Sequence, residues 1–176
     1  MIAITHNTED IIAILFTELT NGAIHAEYKV DENGPVLMEV NCRVNGGLQV
    51  YPVEDAAWGE HHAGASLEAY LNHEEFLKKC DKPLKMINYY IRKDLIMPEE
   101  CFVKESYVDT VFRNLESFNC AISLGDGRVY PKTIDLSTVG GIIHLTNNDK
   151  EKILEDVETI KQIEQHEIEK IYDIES

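Results

Sequence analysis

The sequence predicts an α+β fold, in which an antiparallel sheet with flanking helices is followed by a smaller, β-rich α+β module. Three observations lead to this prediction. A helical pattern opens the chain, two alternating runs follow it around a glycine turn, and short apolar runs begin after a break at Asp81-Lys82-Pro83. We therefore expect two units, residues 1–82 and residues 83–176.

The first predicted element is a helix that begins at Thr8. A capping hydroxyl followed by the acidic Glu9 and Asp10 suits the positive end of a helix dipole, and Asn21-Gly22 is typical of a helix C-terminus. The apolar residues at helical spacing are Ile11, Ile12, Leu15 and Leu19.

Residues 24–41 predict a β-hairpin, because apolar and polar residues alternate with a period of two in both runs. Between the runs, Gly34 can adopt the positive φ that a short loop with a bulge requires. If the turn is centred on Asn33, Glu27 lies opposite Glu39 and His25 lies opposite Asn41. The alternation divides the two strands into an apolar face of Ile24, Ala26, Tyr28, Val30, Val36, Met38 and Val40, and a second face of His25, Glu27, Lys29, Leu37, Glu39 and Asn41.

Two carboxylates on one face of this hairpin point to a bound cation. Directly opposed like charges destabilise an antiparallel pair, so such an arrangement usually has a compensating cation. Oxygen ligands suit magnesium, which is commonly held by one or two carboxylates together with phosphate and water. Glu27, Glu39 and Asn41 are the candidate metal ligands, and Arg43 is a candidate phosphate or carboxylate contact. For an arbitrary pair of glutamates, a solvated hairpin face is the ordinary interpretation.

The order of Gly22, Glu27, Glu39, Asn41 and Arg43 resembles the C-terminal end of the ATP-grasp catalytic domain. In that family a Gly-x-x-x-x-Glu strand, a short hairpin and a strand ending in Glu-x-Asn-x-Arg follow one another. The resemblance implies that the two glutamates and the asparagine hold magnesium, or manganese, bridging the phosphates of the co-substrate ATP. It also implies that Arg43 is the catalytic residue, facing phosphate or the reacting substrate. His25 is the nearest candidate general base, although a histidine beside a metal site more often orients a ligand.

Residues 53–79 are rich in Ala, Glu and Leu and predict one or two helices. We expect interruptions near Gly59 or Gly64 and at Asn72. His61-His62 lacks the spacing of a paired metal-ligand motif, so a surface position is favoured.

The second module is predicted to contain four strands and a long helix. The glycines of Gly125-Asp126-Gly127 favour a hairpin between the second and third strands. From Asp149 we expect an acidic amphipathic helix whose apolar stripe extends to Ile168 and Ile171. The predicted strands are Lys85 to Ile91, Phe118 to Leu124, Arg128 to Ile134 and Ile142 to Leu145.

This second half also resembles the C-terminal module of some ATP-grasp amino-acid ligases. Those modules end in a Lys-Thr-x-Asp-Leu segment, a short strand and an acidic helix, and residues 131–136, 142–145 and the final helix occupy these places. The resemblance favours a ligase of small amino acids over a biotin-dependent carboxylase. Lys132 and Thr133 are candidates for lining a substrate pocket, although a structural role is favoured.

Composition limits the function classes. A chain of 176 residues with 44% hydrophobic and 27% charged residues is typical of a globular protein, and no apolar run approaches the length that spans a bilayer. The net charge of −16 disfavours binding to nucleic acid or to anionic membranes. The start of the sequence has no secretory-signal pattern, which predicts a cytoplasmic location. The four cysteines are far apart and are predicted to be free thiols, with Cys42 in the core.

The resemblance covers only part of an ATP-grasp enzyme, because the nucleotide-gripping lysines of that family lie upstream of the metal hairpin. It implies the C-terminal portion of an ATP-dependent carboxylate–amine ligase that acts on a small carboxylate or amino acid through an acyl phosphate. Such a portion is expected to be inactive without the missing N-terminal half or a partner chain. The alternatives are a non-catalytic interaction module, one subunit of a split ATP-grasp enzyme, and a simple divalent-cation binder. A homodimer formed through an exposed apolar patch is a further hypothesis.

Overall fold

The computed structural model describes residues 22–46, 50–167 and 171–173. The helix predicted from Thr8 lies outside these residues. Helices are combined with antiparallel sheets in the described part of the chain, and the predicted α+β class is confirmed. None of the described helices is long and apolar enough to cross a membrane.

The chain divides into two units. The first comprises the described residues up to Glu54 together with Glu60–Leu84, and the second comprises Asp55–Gly59 together with the described residues from Lys85 onward. The assignment of residues 1–82 to an ATP-grasp subdomain and of residues 83–176 to a C-terminal module stays a prediction.

The first unit contains a hairpin and helices. Its elements are β1 (His25–Asp31), β2 (Gly34–Asn41), the first residues of α1 (Tyr51–Trp58), α2 (His62–Leu71) and α3 (His73–Cys80). The helix interruptions predicted near Gly59 and at Asn72 are confirmed. Gly59 has a φ of 80°, which a residue with a side chain adopts only with strain, and Asn72 separates α2 from α3.

The hairpin contains a β-bulge that the sequence does not predict. Asp31 pairs with Gly34 and Tyr28 pairs with Leu37, so the loop consists of two residues and is not centred on Asn33. The register then shifts between Tyr28 and Glu27, where Met38 is the extra residue. This shift restores the predicted pairing of Glu27 with Glu39 and of His25 with Asn41.

Because of the bulge, the predicted assignment of side chains to the two faces of β2 is wrong near the turn. Leu37, predicted on the polar face, is half-buried opposite Tyr28. Val36 and Met38, predicted on the apolar face, are 49% and 60% exposed. An extra residue turns every side chain beyond it to the other side, because successive side chains of a strand point to opposite faces.

The second unit contains two small antiparallel sheets. In the first, β7 lies between β3 and β5, and in the second, β4 lies between β6 and β8. The elements are β3 (Tyr89–Leu95), β4 (Cys101–Val103), α4 (Tyr107–Val111), β5 (Phe118–Ser123), β6 (Val129–Tyr130), β7 (Gly141–Asn147), α5 (Lys150–His166) and β8 (Tyr172–Asp173).

The core of the second unit includes one face of the β3-β7-β5 sheet and the apolar stripe of α5. Asp149 caps α5 by accepting a hydrogen bond from the backbone N–H of Glu151 at 2.9 Å. The buried residues of this core include Leu95, Tyr107, Phe112, Ile143, Leu145, Ile153, Ile160, Ile163 and Tyr172.

Four predictions for the second unit are wrong in part. The strand predicted at Arg128 to Ile134 covers only Val129–Tyr130. The strand predicted at Lys85 to Ile91 runs from Tyr89 to Leu95. The preceding Ile87 and Asn88 donate their backbone N–H groups to the carbonyl of Ala57 instead of pairing with a strand. The seven residues from Tyr89 to Leu95 pair with residues of β7, which is distant in the sequence, and this pairing sets the bounds of β3.

The predicted hairpin at Gly125-Asp126-Gly127 is also wrong. β5 pairs with β7, whereas β6 pairs with β4, so the two flanking strands belong to different sheets. The predicted final helix ends at His166, and Ile171 is instead buried directly before β8, while Ile168 lies outside the described residues.

Candidate metal site and a buried carboxylate–imidazole pair

The hairpin brings the four predicted polar residues of β1 and β2 into two opposed pairs. Glu27 lies opposite Glu39, and His25 lies opposite Asn41 at the end of the hairpin away from the turn. The bulge falls between these two pairs and the turn, so the pairs themselves are in regular register. The arrangement places two carboxylates and one amide within two residues of each other along paired strands.

Hydrogen bonds hold part of this group in place. The side-chain amide of Asn41 donates from Nδ2 to Oε1 of Glu39 at 2.6 Å, which leaves the amide oxygen of Asn41 available to another partner. Nε2 of His25 lies 3.9 Å from Oε1 of Glu27, and Nδ1 of His25 is buried without a hydrogen-bond partner among the described residues. The Glu27 side chain is 58% exposed.

Arg43 lies just beyond the end of β2 and is exposed. Its Nη1 donates to the backbone carbonyl of Val44 at 3.0 Å. A Cβ at position 46 would lie 3.1 Å from the same nitrogen, so Gly46 leaves room for the guanidinium. Cys42, predicted in the core, is exposed as well, because the chain bends after Asn41 and the strand alternation no longer applies.

The donor set fits a magnesium ion that also has phosphate and water ligands. Such a site needs only one or two protein carboxylates, and Glu27, Glu39 and the amide oxygen of Asn41 are hard oxygen donors. In the described part of the chain, no lysine or arginine forms an ion pair with either glutamate. No group of three or more His, Cys, Asp or Glu side chains among the described residues could hold a metal ion by itself.

A second polar cluster was not predicted. Glu54, in α1, and His62, the first residue of α2, form a hydrogen-bonded pair with 2.8 Å between Oε2 and Nδ1. Their side chains are only 12% and 15% exposed, so the predicted surface position of His62 is wrong. The two residues are eight apart and lie on different helices, on either side of the break at Gly59.

Thr133, a candidate for lining a substrate pocket, makes structural contacts. Its hydroxyl accepts a hydrogen bond from the backbone N–H of Met97 at 2.8 Å and donates to the carbonyl of Thr138 at 2.9 Å. Its backbone N–H donates to the carbonyl of Met97. Lys132 is exposed beside it. These contacts give Thr133 a role in fixing the loop.

Two comparisons with known proteins relate the chain to ligases. The sequence is 27% identical over 157 residues to dapdiamide A synthase of Enterobacter agglomerans. The matched segment covers 83% of this chain and 35% of that enzyme. The fold is similar to the crystal structure of an L-amino acid ligase from Bacillus licheniformis, with a TM-score of 0.64 and 13% identity, over 94% of this chain and 40% of that one. No protein-family model matches the sequence. The chain therefore spans well under half the length of either protein.

Proposed function

We propose that this chain, whose resemblance to ATP-grasp ligases is confirmed by the two comparisons, is the metal- and ATP-phosphate-binding C-terminal portion of an ATP-dependent carboxylate–amine ligase. One observation carries the proposal beyond the family relationship. The register of the hairpin sets Glu27 opposite Glu39 with Asn41 beside them, and these oxygen donors suit a magnesium ion that also binds phosphate.

In the proposed reaction the carboxylate of a small acid or amino acid attacks the terminal phosphate of ATP, which gives an acyl phosphate and ADP. An amine then displaces the phosphate. Phosphoryl transfer depends on positioning and on neutralisation of charge. Magnesium, when bound, supplies positive charge next to the phosphate oxygens. Glu27, Glu39 and Asn41 would hold it, and the hydrogen bond from Asn41 already orients the Glu39 carboxylate.

Arg43 completes the proposed site as the residue that faces phosphate or substrate. Its guanidinium is exposed, and within the described residues one of its donors is engaged, by the neighbouring Val44 carbonyl at 3.0 Å. The remaining donors form the planar fork that suits a phosphate group. Arg43, which follows β2, is thus suited to bind a negatively charged group of the substrate.

We further propose that a separate N-terminal part, or a partner chain, supplies the groups that grip the nucleotide. The chain spans 35% of the curated relative and 40% of the solved one, which supports this division. The isolated chain is then expected not to turn over ATP. We assign residues 1–82 to the ATP-grasp subdomain and residues 83–176 to the C-terminal module, and we place the enzyme in the cytoplasm.

The test is ADP release by the assembled ligase with a panel of amino acids. Glu39→Gln keeps the size and the hydrogen-bonding oxygen of the side chain but removes its charge, so the rate should fall by about 100-fold or more, as for loss of a preorganised electrostatic contact. Glu32→Gln is the matched control, because Glu32 lies in the exposed turn of the same hairpin. An unchanged rate in Glu39→Gln would overturn the proposal.

Calorimetry separates this proposal from a simple divalent-cation binder. We expect the isolated chain to take up magnesium only weakly, because phosphate supplies part of the coordination in the proposed site. Tight binding of magnesium or calcium by the isolated chain, lost in Glu39→Gln, would favour the cation binder.

A further inference from the structure

The pair formed by Glu54 and His62 is built with more contacts than a surface ion pair. Nδ1 of His62 lies 2.8 Å from Oε2 and 3.0 Å from Oε1 of Glu54. The backbone N–H of His62 donates to Oε2 of the same carboxylate at 3.0 Å. Glu54 therefore holds both the backbone and the ring of His62.

These contacts determine which ring nitrogen carries the proton. An ionised carboxylate can only accept hydrogen bonds, so Nδ1 of His62 must be the N–H donor. In the neutral ring Nε2 then has a free lone pair, and no hydrogen bond occupies Nε2 among the residues that the structure describes. A carboxylate that fixes the tautomer of a histidine in this way is the arrangement that prepares an imidazole to accept a proton.

Aromatic contacts fix the position of the ring. The Tyr51 ring packs edge-on against His62, with 5.7 Å between centroids, and is stacked on His61 at 4.7 Å. A Cβ at position 64 would lie 3.1 Å from the His61 ring, so Gly64 gives that ring its space. Tyr51 thus contacts the rings of both histidines.

Capping of α2 explains only part of this arrangement. His61, at the N-cap position of α2, makes no side-chain capping hydrogen bond, and the Glu54 carboxylate accepts from the first N–H of the helix instead. That contact requires nothing of the imidazole. The additional bond to Nδ1 at 2.8 Å orients the ring and leaves Nε2 free.

The pair also lies within chain reach of the proposed metal site. Gly46 leaves room for the Arg43 guanidinium, and Tyr51, five residues later, packs against the ring of His62. Five residues span at most about 18 Å. Both places belong to the first unit.

We propose that His62, positioned by Glu54, accepts the proton that the amine substrate loses in the ligation. The proposal rests on the proposed function, because it assigns a group to the second step of that reaction. The amine nitrogen forms a bond to the acyl carbon, the acyl–oxygen bond breaks and its electron pair leaves with the phosphate, and the proton from the nitrogen moves to Nε2 of His62 and then to solvent. His62 is the catalytic residue of this second step, and Glu54 is a positioning residue.

The test separates the two halves of the reaction in the assembled ligase. Hydroxylamine traps an acyl phosphate as the hydroxamate and is already unprotonated at neutral pH, so it needs no general base. We expect His62→Gln to lower ligation of an amino-acid amine about 10²- to 10⁴-fold and to leave hydroxamate formation within about twofold. His73→Gln, at an exposed histidine of α3, is the control that should retain both rates.

Each other outcome has a definite meaning. If His62→Gln lowers both rates equally, or neither, the assignment of His62 is wrong. If Glu39→Gln retains both rates, or if the parent ligase forms no hydroxamate, the proposed function fails, and the role of His62 in it fails as well. The two failures are therefore distinguishable by which variant produces them.

Glu54→Gln separates positioning from capping. The amide oxygen of Gln can still accept the N–H that begins α2, but its NH₂ group can donate to Nδ1 and so favour the opposite tautomer. We expect an unchanged melting temperature, a fall in amine ligation, and ¹⁵N imidazole spectra in which the neutral His62 proton moves from Nδ1 to Nε2. A parent protein in which neutral His62 carries its proton on Nε2 would overturn the inference without any assay of activity.

Discussion

The hairpin of β1 and β2 exposes its two opposed carboxylates, whereas a carboxylate of the second unit is buried and binds a backbone N–H group. Glu27 is 58% exposed and faces another carboxylate. In the second unit, the carboxylate of Asp156 accepts the backbone N–H of Ser117 at 2.7 Å, and both residues are buried. The two carboxylates of the hairpin therefore face solvent and each other, as expected when a ligand completes their contacts.

Apolar side chains are also more exposed in the first unit than in the second. Helices α2 and α3 contain no buried residue, while the first five residues of β7 are all buried. Large apolar side chains of the first unit, such as Met38 and Leu71, are 60% and 77% exposed. We infer that the second unit supplies most of the stability of the chain, and the predictions below test this contrast.

The largest expected effect is in the core of the second unit. Phe112 is completely buried among residues such as Ile153 and Ile160, so Phe112→Ala should lower the free energy of unfolding by about 3–5 kcal/mol. Urea denaturation measures this change. Phe102→Ala is the matched control at a residue that is 37% exposed, and its cost should be clearly smaller. Equal costs would show that burial in this core does not dominate stability.

A smaller effect is expected in the loop that contains Thr133. Thr133→Val leaves the backbone N–H of Met97 without its acceptor, which should lower the free energy of unfolding by about 1–3 kcal/mol. Thr133→Ser keeps the hydroxyl and should restore most of the stability. Because these contacts are structural, the KM of the assembled ligase for its acid should stay the same in both variants. A raised KM in Thr133→Val at unchanged stability would support the substrate-pocket role instead.

The parts of the fold that the sequence predicts are those fixed by neighbouring residues. The alternation around Gly34 predicts the hairpin, and Gly59 and Asn72 predict the helix breaks, because each signal acts within a few residues. The bounds of β3 were wrong because they depend on β7, which lies some fifty residues later in the chain and pairs with all seven residues of β3. The false hairpin at Gly125-Asp126-Gly127 has the same cause, since both of its strands pair elsewhere.

The candidate site shows the same division. The pairing of Glu27 with Glu39 was predicted from a turn centred on Asn33, whereas the observed turn leads to this pairing only through the bulge at Met38. The contact between Glu54 and His62 was not predicted, because the helix break at Gly59 lies between them. A carboxylate in one helix and a histidine just after the next glycine break is the signal that could have suggested it.

A buried histidine of the second unit should make stability depend on pH. His144 is 1% exposed, and its Nδ1 lies 3.0 Å from the hydroxyl of Tyr90. Burial lowers the pKa of His144 below its ordinary value of 6.5, and the nearby Arg92 lowers it further, while Asp94 acts in the opposite direction. The unfolded chain then binds the proton more readily than the folded one, so the free energy of unfolding should fall as the pH drops through 6.5.

Urea denaturation between neutral and mildly acidic pH measures this dependence. His144→Phe keeps a ring beside Tyr90 but cannot bind a proton, so its free energy of unfolding should decline less steeply with falling pH than that of the parent protein. The variant is expected to be less stable at neutral pH, because the Tyr90 hydroxyl loses this contact. Identical pH slopes for the two proteins would remove His144 as the cause.

The smallest expected effect is a gain of stability in the hairpin. Without divalent cations, Glu39→Gln removes one of two directly opposed charges and keeps an oxygen that can accept the hydrogen bond from Asn41, so the free energy of unfolding should rise by about 0.2–1 kcal/mol. Glu32→Gln in the turn should give no comparable gain. In the assembled ligase with magnesium and ATP, the parent protein should instead be more stable than Glu39→Gln, because only the parent carboxylate pair binds the magnesium ion. A variant that is less stable than the parent without metal would mean that the opposed carboxylates are already compensated within the chain, and the case for an external cation at this hairpin would fail with it.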